Sequence, residues 1–154
     1  MKNFILVTVF VALFASCKDE SKSRNASEAP RPDLKEQPAV TSTKECYRWI
    51  SNKDTVDIRF VRTADNVRGT LRYMWFEKDK SNGTINGVFK RDTLRADFKF
   101  QSEGLESVRE VVFVRKENQL IQGNGEMEEK KGKMVFIGKL DFNNSITMKK
   151  IECE

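Results

Sequence analysis

Residues 92–100 read Asp92-Thr93-Leu94-Arg95-Ala96-Asp97-Phe98-Lys99-Phe100, with Leu94, Ala96, Phe98 and Phe100 on one parity and Arg95, Asp97 and Lys99 on the other. Successive side chains of a strand point to opposite faces, so this alternation predicts a strand with one face in a core and one in water. The same period of two recurs along the chain. Val56, Ile58 and Phe60 alternate with Thr55, Asp57 and Arg59; Val67, Leu71, Tyr73 and Trp75, with Gly69 on the apolar side, alternate with Arg68, Thr70, Arg72 and Met74; Met134, Phe136, Leu140 and Phe142 share a parity with Gly138. Residues 104–116 are ambiguous, because Val108, Val112 and Val114 compete with Val111 and Phe113 for the inner face. No window with apolar spacing of three and four outcompetes the strand reading.

Residues that tolerate positive φ or bond their own backbone punctuate these runs: Asn52-Lys53, Asp65-Asn66, Ser81-Asn82-Gly83, Arg91-Asp92, Glu103-Gly104, Glu117-Asn118, Lys131-Gly132 and Asn143-Asn144. Their spacing of ~13 residues suits strands of roughly 7 to 11 residues joined by tight turns. The predicted architecture is all-β, an antiparallel up-and-down meander of about eight or nine strands. A meander has two edges, and closing it into a barrel removes them. Gly69, Gly87, Gly123, Gly125 and Gly138 suit the bends that closure needs. Two sheets packed as an open sandwich are the alternative.

Ahead of Glu45 the composition is different. Lys2, an apolar run over residues 4–14 and the small pair Ala15-Ser16 before Cys17 form the layout of an export signal. The run is too short to cross a hydrocarbon core of ~30 Å, which takes roughly 20 helical residues. Leu13-Phe14-Ala15-Ser16-Cys17 resembles the lipobox of bacterial lipoproteins, with Phe14 where an aliphatic residue is usual. That resemblance implies cleavage after residue 16 and a lipid on the Cys17 sulfur. Lys18-Asp19-Glu20 resembles the export tag that follows the lipidated cysteine in Bacteroidota lipoproteins sent to the cell surface, and a solvated charge run is its other reading. The expected address is the outer membrane, periplasmic or surface-exposed. Residues 18–44 hold all three prolines, Pro30, Pro32 and Pro38, and almost no bulky apolar side chain. Such a segment buries too little to order itself, and as a coil it reaches on the order of 30 Å. The expected organisation is thus residues 1–16 signal peptide, 17–44 lipidated cysteine and tether, and 45–154 one β domain.

With Cys17 acylated, Cys46 and Cys153 are the two remaining thiols, expected in an oxidising compartment. First and last strands are neighbours in a closed barrel, so a Cys46–Cys153 disulfide would staple the seam. Two unpaired thiols are the alternative. The domain resembles a family of small Bacteroidota lipoproteins with lipocalin-like barrels. The resemblance is carried by Asn82-Gly83-Thr84-Ile85-Asn86-Gly87, residues 92–98, Gln101-Ser102-Glu103-Gly104, Gly123-Asn124-Gly125-Glu126 and Met148-Lys149-Lys150-Ile151-Glu152-Cys153. It supplies no catalytic residue to carry over.

The chain contains no histidine, which excludes Ser-His-Asp and Cys-His nucleophiles, His-ligated zinc and an imidazole pH switch. No metal, cofactor or enzymatic activity is expected. An enzyme would have to work with paired carboxylates as in glycoside hydrolysis, and Glu103, Glu106, Glu110 and Glu126 are the candidates; solvated turn and strand charges are their plainer reading. Binding is the more natural use of a small barrel, whose interior is either filled or holds one small ligand. Tyr73, Trp75, Phe89, Phe98, Phe100 and Phe136 would line such an interior for an apolar or amphipathic ligand. Glu103 and Arg109 would give it a polar mouth, unless they form a surface ion pair. A structural or protein-interaction module of the envelope, with a filled core, is the competing function.

Removing residues 1–16 takes away only Lys2, lowering the net charge from +5 to +4. Arg48, Arg59, Arg62, Arg68, Arg72 and Arg95 are expected on outward faces, where they would favour acidic glycans or lipid headgroups. The expected partners are the membrane, through the lipid, and a small ligand; nucleic acid is not expected, and the domain should be a monomer. Asp54-Thr55 and Asp92-Thr93 resemble periplasmic O-glycosylation sites of Bacteroidota, although Asp-Thr also suits the start of a strand.

Overall fold

The computed structural model describes residues 41–78, 80–102 and 104–154. Cys17, Lys18, Asp19 and Glu20, the signal peptide, nearly all of the tether, and Glu103 lie outside the described residues. Ten strands follow in order: β1 Ser42–Ser51, β2 Asp54–Thr63, β3 Asn66–Met74, β4 Lys80–Lys90, β5 Thr93–Ser102, β6 Leu105–Lys116, β7 Gln119–Gln122, β8 Met127–Lys130, β9 Lys133–Phe136 and β10 Thr147–Ile151. Each of β1 to β6 pairs antiparallel with the next, β7 pairs with β10, and β10 returns to β1. The meander closes as an eight-stranded barrel.

Parity decides what fills it. Val56, Ile58, Phe60, Leu71, Tyr73, Ile85, Phe89, Leu94 and Phe98 face inward and are no more than 2% exposed. On β6 the competition is settled by the strand opposite: Val111 and Phe113 pair with Ala96 and Leu94 and share their inner face. Gly69 stands between Phe60 of β2 and Ile85 of β4. A Cβ there would lie 2.0 Å from the Arg59 carbonyl oxygen and 2.6 Å from Phe60 Cα. Only a glycine lets the sheet coil this tightly at that point.

The seam carries three registered pairs, Cys46↔Ile151, Tyr47↔Lys150 and Arg48↔Lys149. Cys46 and Cys153 are joined by a disulfide across it, Cα to Cα 5.4 Å.

Three expectations need correction. β1 begins at Ser42, ahead of the boundary at residue 45, because β2 runs on to Thr63 and offers Ser42, Thr43 and Lys44 registered partners. Ser81-Asn82-Gly83 is no turn: these residues pair within β4, and the turn lies at residues 76–77. The expected strand through Met134, Phe136, Leu140 and Phe142 stops at Phe136, since Gly138 takes φ +72° and breaks the extended run. The segment beyond it instead packs Leu140 and Phe142 against Gly125 and Gly123. β8 and β9 therefore leave the barrel as a branch. β9 joins β6 in parallel at Arg109↔Met134, whereas β7 joins β6 only from Phe113 onward.

Most of the expected outer arginines face outward, and one group is built in. Asp57, 4% exposed, lies directly between Arg48 on β1 and Arg72 on β3. Their guanidinium groups donate to its two oxygens at 2.5 and 2.7 Å. Burial alone would raise the Asp57 pKa, but the two arginines outweigh it and hold it below the usual carboxylate range. The unfolded chain therefore binds this proton more readily. The stabilisation is complete above the unfolded value of ~3.9 and is lost as pH falls through the lower folded value. In urea melts from pH 7 to pH 2.5, the midpoint is expected to fall below about pH 4 more steeply than in Asp57→Asn; parallel curves would sink this assignment.

Arg62 is the exception among the outer arginines. It shares the parity of Phe60 and pairs with buried Val67, which puts it on the inner face.

Candidate functional site

The barrel has two ends of different chemistry. At the end formed by the close of β1, β3 and β5 and the start of β6, inward positions carry Trp49, Tyr73, Phe98, Phe100 and Arg109, with Trp75 just beyond β3. Trp49 and Trp75 meet edge to face at 6.2 Å, Tyr73 stacks on Trp75 at 6.0 Å, and Phe98 stacks on Phe100 at 4.7 Å. Phe98 is fully buried, whereas Trp49, Trp75 and Phe100 are partly open at the rim.

Arg109 pairs with Phe98 across β5 and β6, which turns its side chain inward. Its guanidinium carbon lies 5.2 Å from the Tyr73 ring centroid, 5.6 Å from that of Phe98 and 5.2 Å from that of Phe100. Ring faces attract a cation, and the attraction grows as water is excluded. Among the described residues no carboxylate forms an ion pair with Arg109. The Tyr73 hydroxyl donates to Gln122 Oε1 at 3.1 Å. Burial pushes its pKa up to about 12, with Arg109 and Gln122 pulling the other way, so it stays protonated.

Beside this mouth, where β7 and β9 diverge from β6, a cleft of about 180 Å³ opens. It is lined by Arg109, Glu110, Gln122, Gly123, Met127 and Phe136 among others. Arg109 thus belongs to both the mouth and the cleft.

The structure brings five of the expected residues together, Tyr73, Trp75, Phe98, Phe100 and Arg109. Phe136 reaches the side cleft and not the barrel interior, because β9 belongs to the branch. Phe89 is buried at the opposite end, beneath Arg62 and Arg115. Two further members were not expected. Trp49 has the parity of Tyr47 and was legible from it; Gln122, a polar residue ending a four-residue strand, carried no signal.

The carboxylate candidates scatter. Glu106 pairs with Lys99 at 2.9 Å, and Glu126 is exposed. Glu110 pairs with Arg95 at 2.8 Å and accepts from the Phe136 amide at 3.1 Å. Thr55 and Thr93 are half-buried at the starts of β2 and β5, and the Asp54 carboxylate accepts from the Phe76 amide at 2.7 Å, holding the turn at residues 76–77. Compared with protein-family models, curated proteins and solved structures, the chain matches none.

Proposed function

We propose that this domain is the binding module of a lipoprotein anchored at Cys17 in the outer membrane, and that it takes a small amphipathic acid at the aromatic mouth. The observation that supports this reading is the inward Arg109 guanidinium, held against three aromatic faces at an end that is partly open. The acid head would meet Arg109 and Gln122, and the apolar body would lie on Trp49, Trp75 and Phe100. The cleft of about 180 Å³ is smaller than the roughly 300 to 1,000 Å³ of drug-sized sites, so it suits a head group rather than a whole ligand.

Both tryptophans of the chain sit at this mouth, so their emission reports occupancy. Titrating decanoate into the full chain is expected to change tryptophan fluorescence saturably. Arg109→Gln should weaken binding about 10- to 100-fold, the worth of a hydrogen bond to a charged group of about 1.5 to 3 kcal/mol. Decanol should bind both proteins alike. Equal decanoate affinity in the two proteins, or no saturable change, would overturn the reading.

One observation favours a second reading, a structural envelope module: Tyr47, Phe60, Tyr73, Phe89, Phe98 and Phe113 fill the barrel interior. Native mass spectrometry of the protein taken from its host envelope separates the two, a ligand-free spectrum favouring the module.

A further inference from the structure

At the end opposite the aromatic mouth, three cations from three strands turn inward. Arg62 pairs in register with Val67, Arg115 with Leu120 and Lys150 with Tyr47, and each partner is no more than 1% exposed. The cations therefore share the inner face at the rim. Arg62 and Arg115 both rest on one ring, their guanidinium carbons 4.7 and 4.8 Å from the Phe89 centroid. Glu45 is the buried acid among them. It accepts from the Tyr47 hydroxyl at 2.6 Å and from Arg115 at 3.4 Å, with Lys150 3.9 Å away. Arg62 pairs with Asp65 at 3.2 Å, but that carboxylate is 75% exposed.

These side chains, with Thr41 and Thr43, line a cavity of about 390 Å³. Two guanidinium forks, an ammonium and two hydroxyls converge on it, with one buried carboxylate already shared between Arg115 and Lys150. Holding two guanidinium groups on one ring is repulsive, and an anion between them relieves the repulsion. A guanidinium fork matches the oxygens of a phosphate bidentately, and a lysine adds a point charge.

We propose that this cavity is a phosphate-binding site, taking a phosphate monoester or inorganic phosphate on Arg62, Arg115 and Lys150 with Thr41 and Thr43 as hydroxyl donors. The site is separate from the aromatic mouth and stands or falls independently of it. Glu45 acts as a positioning residue, fixing Arg115 and Lys150 at the rim.

The chemistry is shared by free phosphate and by a lipid head bearing a phosphate monoester, and the experiment has an arm for each. In the first, the thermal midpoint of the full chain is followed with inorganic phosphate at constant ionic strength. In the second, the midpoint is followed with soluble dihexanoyl phosphatidic acid, with dihexanoyl phosphatidylcholine as the comparison. Arg62→Gln and Lys150→Gln are the test variants, since both side chains are partly exposed and their loss leaves the Arg115–Glu45 pair intact. Arg68→Gln, on the exposed outer face, is the charge-matched control.

A saturable rise in midpoint with phosphate, weakened at least about 10-fold in both variants and kept in the control, supports a soluble ligand. A rise in midpoint with the short-chain phosphatidic acid that is lost in the same two variants, without a shift from inorganic phosphate, supports a lipid head. The absence of both responses overturns the site. So does any response that Arg68→Gln diminishes as much as the variants do, because that is surface charge alone.

Discussion

Reduction of the Cys46–Cys153 disulfide is expected to lower the thermal midpoint on the order of 20 °C. The bridge closes a loop of 107 residues, for which chain entropy allows at most about 4.7 kcal/mol, and a domain of this size shifts by roughly 4 to 8 °C per kcal/mol. The seam makes the effect local as well as global. β1 and β10 share only three registered pairs, against ten between β1 and β2. Without the bridge, β10 is held by those pairs and by three to β7. Calorimetry of Cys153→Ser beside the wild type, each with and without reductant, checks this. Only the wild type should respond to reductant. A loss under about 1 kcal/mol would mean that strand pairing alone closes the barrel.

Phe98→Ala is expected to cost about 3 to 5 kcal/mol, the range for truncating a buried aromatic residue. Phe98 is fully buried, stacks on Phe100 at 4.7 Å and meets Tyr73 edge to face at 5.9 Å. It also forms one of the faces beneath Arg109, so truncation removes packing and part of the setting for that charge. Phe100→Ala, at the partly open rim, should cost clearly less. Denaturant melts of the two variants give the comparison. Equal losses would show that the rim is packed as tightly as the core, which would remove the basis for a binding mouth there.

Of the proposed site, the aromatic part was legible in sequence. Tyr73, Phe98 and Phe100 have the parity of their strands' apolar faces, and that parity survives in the closed barrel. For Arg109 the sequence suggests a mouth but not its surroundings, because a charge on an apolar parity reads equally as a slip of register or as a rim residue. Arg62 illustrates the same difficulty. Its charge reads as outward, whereas its parity with Phe60 points inward. Barrel ends are wet, so a long cationic side chain can lie along aromatic surface there and keep its head near water.

The alternation of Leu94, Ala96, Phe98 and Phe100, its repetition along the chain and the turn residues between the runs were enough to establish an all-β meander, since periodicity and backbone preference are local. Cys46 within the first strand and Cys153 just past the last mark the seam. The branch at β6 was decided only by tertiary structure. Whether β7 or β9 lies against a given part of β6 depends on Gly138 ending one strand and on Phe142 and Leu140 finding Gly123 and Gly125. The cationic rim over Phe89 is of the same kind, because Arg62, Arg115 and Lys150 are far apart in sequence and closure alone brings them to one ring of strands.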